Sequence, residues 1–69
     1  MSDGNRAYTE WQHMIRRAVA ADEYPRGVQQ SWRQHFSKFF DDMGQPPEGK
    51  KLKRRDPHKA YTSDNCFWG

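Results

Sequence analysis

GKKLKRRDPHKAYTSDNCFW, residues 49–68, is the stretch on which the fold of this chain turns. It holds the densest positive charge in the sequence and ends on the single Cys and one of the three Trp. A disordered basic tail has no use for Leu52, Tyr61, Phe67 and Trp68, because buried aromatics are what offset the entropy of ordering a chain. The stretch therefore reads as two short strands around a wide loop. Leu52 lies between Lys51 and Lys53, followed by Arg54, Arg55 and Asp56. A loop over residues 57–60 leads to Tyr61, an Asp64-Asn65 turn and Cys66-Phe67-Trp68. Strand alternation places Lys51, Lys53 and Arg55 on one face and Leu52 with Arg54 on the other. Arg54 then shares the buried side, and Asp56 or Asp42 is its expected partner.

Working outward, Gln45-Pro46-Pro47-Glu48-Gly49 reads as a rigid turn into the first strand. Ahead of it a helix is expected over residues 29–43. Trp32, Phe36, Phe39, Phe40 and Met43 form its apolar stripe, and Gly44 is placed to end it. Phe39 and Phe40 are adjacent, so only one of them can point straight into a core. Asp41 and Asp42 lie near the helix C-terminus, where the dipole disfavours negative charge. Pairing with the basic strand is the expected compensation, with an acidic binding surface as the alternative. Residues 21–27 form a connector, with Pro25 as a helix stop and Gly27 as a turn residue. Before it, Tyr8, Trp11, Met14, Ile15, Ala18 and Val19 mark one face of a helix over residues 6–20. His13, Arg16 and Arg17 lie on the other, solvated face. Residues 1–5 read as a frayed start, with Asp3 or Asn5 as the helix cap. The fold class is thus α+β: two amphipathic helices followed by a basic β-hairpin over residues 50–68.

Composition narrows the function classes. Sixty-nine residues make one small domain with a limited core. A single Cys excludes an internal disulfide, and no cysteine–histidine set with zinc spacing exists. Cys66 reads as a buried thiol of a reducing compartment. No apolar run reaches membrane-spanning length and no secretory signal is present, so a cytoplasmic protein with no membrane partner is expected. The charge is uneven. Residues 1–49 carry six Lys and Arg against seven Asp and Glu, whereas residues 50–69 carry six against two. The positive balance of +3 comes wholly from the C-terminal part.

The C-terminal pattern resembles the core of the HNH nuclease family, in its phage and intron-associated branch. There the sequence runs approximately D-M-G-x-x-P-x-G-x-x-L-D-R-x-D-x-x-x-x-Y-x-x-x-N-C-x-W. This chain has Asp42-Met43-Gly44, Pro47, Gly49, Leu52, Arg54, Asp56, Tyr61, Asn65-Cys66 and Trp68 at that spacing. Tyr8, Trp11, Met14, Arg17, Tyr24, Arg26-Gly27-Val28, Trp32, Phe36 and Phe39 are similar to the family's lead-in, so the resemblance covers residues 8–68. It implies that Asp56 and Asn65 structure the loop, Asn65 by side-chain hydrogen bonds. The departures fall on the chemistry. Lys53 stands where the family has an acidic metal ligand, and Arg54 where many members have a catalytic His. The family's closing helix, which supplies another ligand, would begin after Trp68. An ammonium repels a divalent cation. The resemblance thus implies the scaffold without catalysis: no catalytic residue, no metal and no cofactor. His58, in the loop beside Asp56, is the remaining candidate base, although the family's base would stand at position 54.

Two function classes follow. The first is a catalytically inactive HNH-like, phage-type protein that binds DNA or RNA backbones through Lys50, Lys51, Lys53, Arg54, Arg55 and Lys59. The bland alternative for those residues is a charged edge that blocks strand pairing. The second is a small phage effector that binds and inhibits a host protein of a nucleic-acid pathway, with Phe40, Asp41, Asp42, Phe67 and Trp68 as its partner surface. Nucleic-acid binding is preferred. The oligomeric state is read as monomer or homodimer. An active nuclease would require a metal at Asp56 and His58.

Overall fold

A computed structural model describes residues 5–69. Three helices precede a C-terminal antiparallel pair of strands, a small α+β fold. The helices are α1 (Arg6–Ala20), α2 (Gln30–Gln34) and α3 (Phe36–Met43), and the strands are β1 (Leu52–Arg54) and β2 (Cys66–Trp68). Of the frayed start expected over residues 1–5, residues 1–4, and with them the Asp3 cap, lie outside the described residues.

Helix α1 starts where its orphan backbone donors find an acceptor. The Asn5 side chain accepts from the amides of Ala7 at 2.9 Å and Tyr8 at 3.3 Å. It ends in a paired turn at Asp22, whose φ is +60°. The Glu23 amide donates to the Ala18 carbonyl and the Asp22 amide to that of Val19. Asp is one of the few non-glycine residues that adopt this conformation readily. The buried face of α1 is Ala7, Met14 and Ala18, with Trp11 and Ile15 half-buried. This corrects the sequence-derived stripe at both ends, since Tyr8 is 42% exposed and Val19 58% exposed. Alanine carries little hydropathic signal, so Ala7 was not legible as a core position.

The single helix expected over residues 29–43 is two helices. His35 is extended, with φ −131° and ψ 98°, and separates α2 from α3. In a continuous helix the Trp32 carbonyl would accept from the Phe36 amide. It instead accepts the Trp11 indole N–H from α1 at 2.7 Å. The break lets Trp32 and Phe39 both become fully buried, edge to face, with ring centroids 4.9 Å apart. Phe40 is the half-buried member of the adjacent pair and lies beside Phe36. Gly44 closes α3 at φ +67° and ψ −165°, a region open to glycine almost alone.

The strands are shorter than the expected hairpin over residues 50–68, three residues each. Their register pairs Leu52 with Trp68, Lys53 with Phe67 and Arg54 with Cys66. Backbone bonds extend the pairing to Lys51 with Gly69 and, on the loop side, from the Arg55 amide to the Asn65 carbonyl. Pro57, which lacks an amide proton, follows Asp56 as the chain turns away. The long loop is tied to the helical half by reciprocal bonds. The Tyr61 amide donates to the Gly27 carbonyl, and the Gln29 amide to the Tyr61 carbonyl, each at 2.8 Å. Leu52, Tyr61 and Cys66 thereby join Val28, Trp32, Phe39 and the α1 residues in one core. All three indole N–H groups are satisfied: Trp11 on Trp32, Trp32 on Asp42, and Trp68 on the Met43 carbonyl.

Candidate nucleic-acid interface

Alternation along β1 places Leu52 in the core at 4% exposure and turns Lys53 to solvent. Lys51 and Arg55, one pleat away on either side, are exposed as well. Directly across from Lys53 lies Phe67, half-buried, with the Arg55 guanidinium 5.2 Å above its ring centroid. The outer face of the hairpin is therefore a row of three cations around an aromatic ring. Such a surface offers charge to a phosphate chain, and an aromatic ring that a base reaches when the Arg55 guanidinium above it turns aside.

Arg54 points the other way and is structural in its contacts. Its side chain is 19% exposed. It donates to the Lys59 carbonyl at 3.0 Å and stacks 4.2 Å over the Tyr61 ring. Its carboxylate partner is Glu23, at 3.6 Å, in place of the expected Asp56 or Asp42. Lys50 and Lys59 are exposed, Lys50 before β1 and Lys59 in the loop. The expected ion pairing of Asp41 and Asp42 with the basic strand is also corrected. Both residues are exposed, and Asp42 accepts from the Trp32 indole at 2.8 Å and from the Gln29 amide group at 3.3 Å. A carboxylate at the end of α3 is thus placed to satisfy the polar atom of the largest core side chain. The five residues expected as a partner surface do not form one exposed patch. Trp68 faces inward, edge to face with Phe39 at 6.2 Å.

The loop between the strands is held by Asn65. Its Oδ1 accepts from the Asp56 amide at 3.0 Å. Its Nδ2 donates to the carbonyls of Asp56 and Ala60 at 3.0 Å, and to that of Lys59 at 3.4 Å. The Asp56 carboxylate accepts from the His58 amide at 2.9 Å, an Asx turn at the loop's start. Cys66, next to Asn65 in β2, is buried. Burial pushes its thiol up to about 11, against smaller opposing contributions from a Thr62 backbone bond and from Arg54.

The donor set does not fit the divalent cation that an active HNH-type nuclease would need. On the HNH resemblance, Lys53 would bring an ammonium to the position of an acidic ligand. Among the described residues no three His, Cys, Asp or Glu side chains converge. Asp56 and His58 meet through backbone amide and carboxylate, the geometry of a turn and not of a shared ion. A broad groove lined by Tyr24, Pro25, Gln30, Arg33, Gln34 and His35 lies away from the hairpin's basic residues. Among the described residues no helix is long and apolar enough to cross a membrane. No family model matches this chain, and neither the curated proteins nor the solved structures contain a significant match to it.

Proposed function

We propose that this chain binds nucleic acid through the outer face of its β-hairpin, on a degenerate HNH-like scaffold with no catalytic role. The observation that carries the reading is the solvent-facing row of Lys51, Lys53 and Arg55 around Phe67. Binding of this kind is led by phosphate contacts and tolerates sequence. Phe67 contributes a stacking face that favours unpaired bases. Nothing in the reading requires a bound metal, and Lys53 in place of an acidic ligand opposes one.

The test is fluorescence anisotropy with labelled single-stranded and duplex oligonucleotides over a salt series. The triple variant Lys51→Ala, Lys53→Ala, Arg55→Ala is expected to lose affinity for every sequence. The slope of log K against log salt should become shallower by about 2 units on single strands, as three phosphate contacts are removed. No binding by the parent protein at low salt would overturn the reading. So would a stoichiometric protein partner from bacterial lysate that survives nuclease treatment and high salt. That second outcome is the one expected of an effector that inhibits a host protein.

A further inference from the structure

The loop end of the hairpin faces a groove that the outer-face row does not use. It is lined by Glu23, Arg26 and Gly27 from the connector after α1, by Arg54 from β1, and by His58 and Lys59 from the loop. Arg54 is held there before any ligand arrives, by its bond to the Lys59 carbonyl and by the Tyr61 ring. Arg26 is held as well, donating to the Asp22 carbonyl at 2.9 Å. A guanidinium already fixed in place loses little freedom when it takes up an anion.

The charges in the groove do not balance. Three permanent cations, Arg26, Arg54 and Lys59, face one carboxylate, that of Glu23. Leaving His58 out of the count, two positive charges remain in excess. Glu23 is also loosely held: its Oε1 is 3.6 Å from Arg54, beyond a hydrogen bond, and its side chain is 43% exposed. A carboxylate in that position occupies the side of Arg54 that an incoming anion would take. A phosphodiester brings a single negative charge, whereas a phosphate monoester brings −1.5 to −2 near neutral pH (roughly) and three acceptor oxygens. The monoester matches the excess.

We propose that this groove binds one phosphate monoester, with Arg54 and Arg26 as donors, Lys59 as the charge at the rim, and Glu23 swinging aside. The ligand is the phosphorylated end of a nucleic-acid strand or a free phosphate. The strand-end form rests on the nucleic-acid reading above. A strand tracked along the outer face from Lys51 to Arg55, about 13 Å of extended chain, reaches the loop end of the hairpin, and from there its end must turn past Arg55 to the opposite face, where the Arg54 side chain lies.

The experiment compares oligonucleotides of one sequence bearing a 5′-phosphate, a 3′-phosphate or hydroxyl ends, by anisotropy. In parallel, inorganic phosphate alone is titrated and followed by amide chemical shifts of Gly27 and Lys59. One phosphorylated end is expected to bind about tenfold tighter than the hydroxyl strand, the scale of one charge-assisted contact. The double variant Arg26→Ala, Lys59→Ala changes two exposed side chains and should abolish that preference, so that the phosphorylated and hydroxyl strands bind it alike. Glu23→Gln should strengthen binding of the phosphorylated strand. Equal binding of all three strands, with no shifts on adding phosphate, would overturn the proposal and leave the hairpin reading standing. A preference that persists in the double variant would overturn it too. If no strand binds the parent protein, the hairpin reading fails, and the phosphate titration alone decides the groove. Shifts that vanish in the double variant would then support it, and their absence in the parent would overturn it.

Discussion

Replacing Asn65 by Ala should be the most damaging single change outside the apolar core. The side chain makes three bonds of 3.0 Å and one of 3.4 Å, all to the backbone of residues 56–60. A neutral hydrogen bond contributes about 0.5–1.5 kcal/mol net. The three short bonds then give about 2–4 kcal/mol by the same measure. A 69-residue domain has roughly 3–10 kcal/mol in total, so the change removes a large fraction of the stability. The carbonyls of Asp56 and Ala60 also lose their amide donor on Nδ2. Urea unfolding read by tryptophan fluorescence is the assay. With a slope of about 1 kcal/mol per molar urea, the midpoint should fall by about 2 M or more. Asn65→Asp is the control. It keeps the acceptor for the Asp56 amide but turns a carboxylate oxygen toward three carbonyls. At pH 7 it should be at least as unstable as the Ala variant. It should recover in part below about pH 4, where the carboxyl becomes a donor. An Ala variant within about 0.5 kcal/mol of the parent, the range of an ordinary surface substitution, would refute the reasoning.

Two further outcomes are expected. Asp42→Ala strands the buried Trp32 indole N–H and should cost about 1–3 kcal/mol. Asp42→Asn retains an acceptor and should cost less; thermal melts separate the two, and equal midpoints would contradict the assigned role. Cys66 has its thiol pushed from 9.0 up to about 11 by burial. The folded state therefore holds a proton that the unfolded state releases. The resulting stability is fully present below pH 9 and is lost as pH rises toward 11. Cys66→Ala should show a flatter stability profile across that window than the parent. The native thiol should also react slowly with a disulfide reagent at pH 8 and rapidly in urea. Identical pH profiles would contradict this account.

Much of the candidate interface is a local property and was legible from the chain alone. Strand alternation around Leu52 assigns Lys51, Lys53 and Arg55 to one face, because the side-chain period of two depends only on extended backbone. The polar cap at Asn5 and the glycine at position 44 are likewise local signals of where helices begin and end. Phe67 as the aromatic centre of the basic row was within reach by the same alternation. What it lacked was the register that sets it opposite Lys53.

The rest depended on partners distant in sequence. A periodic apolar stripe over residues 29–43 cannot announce that Trp11 will take the Trp32 carbonyl and break the helix at His35. Nor does an acidic pair at a helix end announce an indole as its partner, ten residues back, in place of the basic strand. Arg54 shows the same division. Its inward direction follows from strand period alone. Its engagement with Glu23, Lys59 and Tyr61 follows from the bridge that ties the loop to the connector at Val28. The sequence by itself determined that helices precede a hairpin, the α+β class and the side of the hairpin on which charge gathers, since each is set by spacing within a few residues. Only the tertiary structure decided which polar groups are spent inside the fold and which stay free for a ligand. That choice is made by competition among donors and acceptors far apart along the chain.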